Sequence, residues 1–305
     1  MLGLSTVWRA TRVGSGPELL SEIERAELTI GGIELEYRIP ESWDKEIRPR
    51  LRRGNPRVLS IHNFFPLPGD RDPKQATGDL FLVTSADQEE RRLAVKHTIN
   101  TIRIAEDLGA RAVVLHIGRV PMEKRFAEMK QLFSEGKNNS PEMEKIRQEL
   151  RQERAAKFRE PLDWVLRALD RLNQEAFRRG IRLGVENRYY FSEIPSPDEI
   201  GIILKEFEGG AVGYWHDVGH SHVLSLLGFP EYENLLERYH QNLVGIHLHD
   251  SQGIQDHRAP GTGEIDFAKI LPWLGPAAVR IVELRPEEET DQVRKGIKSL
   301  VEMGF

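Results

Sequence analysis

Side chains able to do chemistry crowd together between Leu243 and Gly263. A short apolar run carries His247 and His249 two positions apart, so on a strand both point to one face. A polar, glycine-rich loop follows and carries Asp250, Asp256 and His257. Imidazoles and carboxylates gathered at the end of a buried strand have the donor chemistry of a metal site. The chain contains no cysteine, so any metal must use nitrogen and oxygen donors. For this stretch alone, a polar loop with surface histidines is the competing reading.

Other apolar runs end the same way. Val58–Ile61 leads into His62, Ala112–Leu115 into His116, Ile181–Val185 into Glu186, Val212–Trp215 into Asp217, and Val279–Val282 into Glu283. A lone His or Glu at a strand end is usually a hydrogen-bonded structural residue. A series in register is better explained by a shared cation, because each buried ionisable group needs a partner. Asp217 and His220 straddle a strand-to-turn break at Gly219, so both can reach one centre. His249 lies further out on the face of His247, either behind the site or toward substrate. His216 and His222 should point elsewhere, and His97 and His240 fall in helical segments.

The elements that position these groups alternate. Strands are expected at Gly3–Trp8, at Ile33–Ile39 (apolar residues alternating with Glu34, Glu36 and Arg38), at Val58–Ile61, and then before each of the motifs above. Helical segments separate them. Examples are a helix capped by Ser85 or Asp87 and running to Leu108, one starting at Ser196-Pro197, a short one at Asp266–Leu274 and a last one from Asp291. Eight strands alternating with helices predict an α/β fold, a (β/α)8 TIM barrel, as one domain over residues 1–305, with the motifs converging at its C-terminal mouth. Residues 121 to 180 are too long for one crossover helix. The spacing predicts an extra helical insertion after strand 4, at 121–160, acting as a lid or an interface, with a solvated helical hairpin as the plainer alternative.

The 305 residues carry 43 basic and 48 acidic side chains, a net charge of −5. This balance gives no general attraction to nucleic acid or anionic membrane. There is no apolar run of membrane-spanning length and no signal-peptide pattern, so a cytoplasmic location is expected.

As a set, Ile-His62-Asn, Leu-His116-Ile-Gly, Val-Glu186-Asn, His-Asp217-Val-Gly-His220, Ile-His247-Leu-His-Asp, His257 before Pro-Gly-Thr-Gly, and Val-Glu283-Leu resemble the xylose-isomerase-like barrel superfamily. That group includes endonuclease IV and the sugar isomerases and epimerases. The resemblance covers Leu2 to about Glu283, outside the insertion. It implies a single divalent ion on Glu186, Asp217, His247 and Glu283, as in the epimerases, with His220 near substrate. It also implies extra ligands, His62, His116, His220 and His257, as in the three-zinc site of endonuclease IV. There the carboxylate expected two residues before the loop histidine is replaced by Gln255, with Asp256 one position off.

The leading expectation is a metal-dependent phosphodiesterase of a small molecule, with one to three ions, zinc favoured and manganese or iron as alternatives. A narrower resemblance, to cobamide-remodelling phosphodiesterases, implies a cobamide nucleotide loop as substrate. The catalytic groups would be Glu186, Glu283 and His220. Substrate contacts are expected from His249, Arg188, Asp256, and Phe64 or Phe65 stacking on a ring. The alternative is a divalent-metal sugar isomerase or epimerase, in which Glu186 and Glu283 move the proton and His62 and His116 touch substrate. A non-catalytic metal- or ligand-binding barrel is the third reading. No nucleic-acid or membrane partner is expected, and a homodimer is left open.

Overall fold

In the computed structural model, which describes residues 1–69 and 71–305, the apolar runs pair side by side. Labelled in chain order, the strands are β1 (Leu2–Ser5), β2 (Gly32–Leu35), β3 (Val58–His62), β4 (Ala112–Leu115), β5 (Arg182–Glu186), β6 (Val212–Asp217), β7 (Leu243–Leu248), a hairpin of β8 (Asp250–Gln252) and β9 (Gln255–Arg258), and β10 (Val279–Val282). Eight of them close a barrel in the order β1-β10-β7-β6-β5-β4-β3-β2. Every pairing in it is parallel. Parallel strands need crossovers, and helices supply them. Two of these helices start on the caps expected from the sequence. The Asp87 carboxylate accepts from the Glu89 amide at 2.9 Å, and Ser196 with Glu199 forms a reciprocal capping box.

The barrel interior is filled below the mouth by Trp215, which is fully buried. Its indole needs room on both neighbouring strands. A Cβ at Gly184 would lie 2.7 Å from the indole, and one at Gly245 would lie 2.2 Å from it. The ring sits edge-on to His247, centroids 5.0 Å apart. Small residues on β5 and β7 thus let one large side chain on β6 form the floor under the functional histidine.

Some boundaries differ from the sequence reading. The first strand stops at Ser5 and Val7–Ala10 is helical. Asp266–Leu274 forms two 3-10 turns rather than a helix. The loop after β7 is a hairpin, and a helix at Val218–Leu226 follows β6 directly.

The insertion after β4 contains helices Phe126–Ser134 and Pro141–Lys157. It is not a solvated hairpin. Met129, Leu132, Met143, Ile146 and Leu150 are buried together with Leu224, Leu227 and Phe229 from the segment after β6. The helix Val218–Leu226 ends with orphan carbonyls, and the insertion supplies their donors. The Asn138 side-chain amide donates to Leu226 O at 2.6 Å, and Arg147 Nε donates to Leu227 O at 2.8 Å. Among the described residues no helix is long and apolar enough to cross a membrane.

Candidate metal centre

Strand period and closure bring the predicted groups to one end of the barrel. His247 lies at the centre. Its Nδ1 is 2.8 Å from Glu186 Oε1, 3.0 Å from Glu283 Oε2 and 3.7 Å from Asp217 Oδ2. All four residues are buried. The donor atoms of Glu186, Asp217, His247 and Glu283 lie within 4.8 Å of one another. The same holds for His62, His116 and Glu186, and for Asp217, His220 and His257. These three sets contain every residue expected to ligate a metal. Glu186 joins two of the sets, with His116 Nε2 2.9 Å and His62 Nε2 3.7 Å from its Oε2.

Hydrogen bonds fix which imidazole nitrogen faces the centre. His62 Nδ1 donates to the Asn63 carbonyl at 3.0 Å, and His220 Nδ1 donates to the Asn187 carbonyl at 3.0 Å. Each Nε2 is therefore left unprotonated, with its lone pair free to ligate a metal ion or accept a hydrogen bond. Asp217 caps the helix that follows it, accepting from the His220 amide at 2.7 Å. Asn187 holds the pair from the other side. Its Oδ1 accepts from the Asp217 amide at 2.8 Å and its Nδ2 donates to Asp217 O at 2.9 Å. His257 reaches the mouth from β9 with φ 55°, a left-handed backbone rare for a residue with a side chain. Such strain tends to persist where a site over-determines it.

The charges match a cation. Burial opposes ionisation of Glu186, yet His247, His116 and His62 hold its carboxyl well below the usual range. Burial likewise opposes ionisation of Glu283 and Asp217, and neighbouring imidazoles lower both. Burial lowers His247, but Glu283, Glu34 and Glu186 together push it well above an ordinary imidazole. Ionised carboxylates held around a protonated imidazole, away from water, form a set whose charge a divalent ion would balance. The donors present fit such an ion.

Sequence reasoning missed Glu34. Its place in the sequence pattern is the polar face of an alternating strand, yet it is fully buried. It accepts from His247 Nε2 at 3.1 Å and from Ser60 Oγ at 2.7 Å. The carboxylate behind a histidine fixes its tautomer and raises its basicity as a ligand. Glu34→Gln is expected to weaken divalent-ion binding by roughly 10-fold, the low end of what such partners contribute. Titration against a competing chelator reads this, and unchanged affinity would remove Glu34 from the site. Glu36, on the same strand extension, is also buried. Burial raises its carboxyl to about 7 even though Arg38 lies 3.1 Å away. The signal that could have found both is that neither face of a closed barrel strand is solvated.

Three expectations about substrate contact need correction. Phe64 and Phe65 are 2% and 1% exposed and belong to the main core. Phe64 packs edge-on to Phe81, so neither ring is free to stack on a ligand. His249 does not face outward either. Its Nε2 donates to Asp217, 3.0 Å from both oxygens, and its Nδ1 accepts from the His257 amide at 2.8 Å. Asp250 is taken up by its own loop, accepting from the amides of Ser251, Gly261, Gly263 and Ile265. Asp256 is at the mouth, 3.7 Å from His220 Nε2 and 3.1 Å from His257 Nδ1. Arg188 is buried beside the centre, with Nη1 3.3 Å from Glu186 and in contact with His116 Nε2, and Nη2 3.0 Å from Glu193.

The chain belongs to the xylose isomerase-like TIM barrel family, whose model matches residues 25–303. No curated protein matches its sequence. Similar solved structures include a D-tagatose 3-epimerase-like protein (20% identity, 99% of this chain and 96% of the other, TM-score 0.67). A 3-keto-D-glucoside 4-epimerase from E. coli also matches (13%, 99% and 98%, TM-score 0.66). So does a D-allulose 3-epimerase from Methylomonas sp. in complex with D-allulose (15%, 100% and 96%, TM-score 0.63). These findings correct the expectation of a phosphodiesterase, on a cobamide or any other small phosphodiester. Solved structures that share this fold include sugar epimerases, which fits the alternative reading better.

Proposed function

We propose that this protein is a divalent-metal sugar isomerase or epimerase acting on a keto-sugar. The observation that carries the reading is the four-donor set of Glu186, Asp217, His247 and Glu283, in which two carboxylates flank one imidazole nitrogen at 2.8 and 3.0 Å. The likeness in fold to sugar epimerases supports it. These four residues would hold one ion. Three carboxylates and one imidazole suit Mn2+, Fe2+ or Zn2+. When bound, the ion polarises a substrate carbonyl and so acidifies the adjacent C–H.

The protein's own groups then move the proton. One of Glu186 and Glu283 takes it from the carbon beside the carbonyl. The other returns a proton to the opposite face, and the configuration inverts. The surrounding imidazoles favour the ionised form of both carboxyls, the form the proton-abstracting one needs, and the other must first take up a proton from water or a substrate hydroxyl before it can return one. His62, His116 and Arg188 face the same centre and would hold substrate hydroxyls, while His220 and Asp256 close the side toward β9. The buried position of these groups excludes water that would compete for the substrate oxygens.

The test is direct. Protein loaded with Mn2+, Fe2+ or Zn2+ should bind one ion per chain and incorporate deuterium from D2O into a ketose at the carbon beside its carbonyl, with the epimer or isomer appearing. Metal-loaded protein that exchanges no ketose would overturn the reading. A count of three ions per chain would assign His62, His116, His220 and His257 to ions rather than to substrate.

A further inference from the structure

A cavity of about 730 Å³ runs from the candidate centre to the underside of the insertion. His116 and Arg188 stand at its inner end. Both contact Glu186, with His116 Nε2 at 2.9 Å and Arg188 Nη1 at 3.3 Å from the same oxygen. At the other end the walls change character. Phe126 from the insertion meets Tyr189 and Tyr190 from the loop after β5. The three ring centroids lie 4.9–5.0 Å from one another, and Tyr190 stands nearly perpendicular to both partners. Tyr189 is fixed through its hydroxyl, which donates to Ile254 O at 2.9 Å. Tyr190 is 46% exposed, its ring open to the cavity beyond its packing on Phe126 and Tyr189.

Size decides what this space is for. Sites of roughly 300–1,000 Å³ take drug-sized ligands, whereas a free hexose, about twelve non-hydrogen atoms, fills only a fraction of such a volume. A monosaccharide held at the carboxylates would leave the aromatic end empty. Resting on the sugar-isomerase or epimerase reading above, we infer that the substrate is a keto-sugar linked to a second ring, and that Phe126, Tyr189 and Tyr190 hold that second ring under the insertion. Aromatic faces accept either the C–H face of a second sugar or an aryl group. Arg188 adds a polar point between the two halves, because its buried Nε has no hydrogen-bond partner among the described residues. The insertion's extra length is thereby explained, since it roofs the outer half of the cavity.

Calorimetry on the metal-loaded protein tests this with three probes: a free hexulose, the same hexulose carrying a 6-O-glucosyl or 6-O-benzyl group, and its 6-phosphate. The ring-bearing probes should bind about ten-fold or more tighter than the free hexulose, and Tyr190→Ala or Phe126→Ala should shrink that ratio toward one. An equal affinity for free and ring-bearing hexulose would overturn the inference. So would a gain confined to the 6-phosphate, which would point instead to Lys124 and Lys130 on the cavity wall. Deuterium exchange run alongside separates the two claims. Tight ring-dependent binding without exchange sinks the reaction and leaves the second-ring site standing. Exchange without a ring-dependent gain does the reverse.

Discussion

Glu186→Gln and Glu283→Gln are each expected to lower epimer formation by about 10³-fold or more. General acid–base catalysis by one positioned group contributes roughly 10²–10⁴-fold, and each substitution also takes one carboxylate from the ion. The replacement amide keeps the volume and leaves an oxygen beside His247 Nδ1, now 2.8 and 3.0 Å from the two carboxylates, so the barrel should stay folded. The two variants need not fail alike. Whichever carboxylate takes the proton, its loss stops exchange altogether. Loss of the one that returns it leaves exchange with D2O running while inversion fails. Measuring label incorporation and epimer formation side by side, with metal content as a control, assigns the two roles. If both variants keep epimerisation within ten-fold of the unaltered protein, neither carboxylate is the base.

The residues named in that experiment were legible in the sequence for a simple reason. Each lies at the end of an apolar run, and in a parallel barrel all such ends meet at one mouth. His62, Asp217 and Glu186 end their strands, His247 lies one residue before the end of its own, and His116 and Glu283 follow theirs directly. Glu34 was illegible because Ile33-Glu34-Leu35-Glu36 looks like a strand with one wet face, and only closure of the sheet buries it. Phe64 and Phe65 misled for the opposite reason. They follow a functional histidine, but the chain turns there into the core, where Thr101 Oγ1 accepts from the Phe65 amide at 2.9 Å. The hairpin carrying His257 looks like loop in the sequence because its strands are polar and only three and four residues long. The insertion's docking was hidden by its charge. Met143, Ile146 and Leu150 recur at helical spacing, but they sit among so many Lys, Arg and Glu residues that the apolar stripe is narrow.

Charge within the insertion also has a buried use, and removing it should be costly. Arg154, on the helix Pro141–Lys157, is 6% exposed and points at the barrel. Its guanidinium donates to Phe191 O at 2.5 Å, Glu193 O at 3.0 Å and Glu199 Oε2 at 2.6 Å. Glu199 is itself buried and also accepts from the Ser196 amide at 2.7 Å. Arg154→Ala leaves a buried carboxylate without its cation and two carbonyls without donors. Breaking a buried pair in this way costs about 3–5 kcal/mol. Denaturant unfolding should therefore show a lowered midpoint with little change in slope. Adding Glu199→Gln, which keeps the capping acceptor but removes the stranded charge, should recover part of the loss, a non-additivity expected of groups in contact. A single-variant cost below about 1 kcal/mol, the range of exposed pairs, would mean that water reaches the pair. The consequence reaches the site through the loop that Arg154 grips. Glu193 in that loop holds Arg188 at 3.0 Å and accepts from the Tyr190 amide at 2.8 Å. Releasing Phe191 and Glu193 should therefore loosen both the residue beside Glu186 and the ring at the outer end of the cavity. Ring-bearing keto-sugars should lose more affinity than free ones in the Arg154→Ala protein, measured at a denaturant-free temperature where it remains folded.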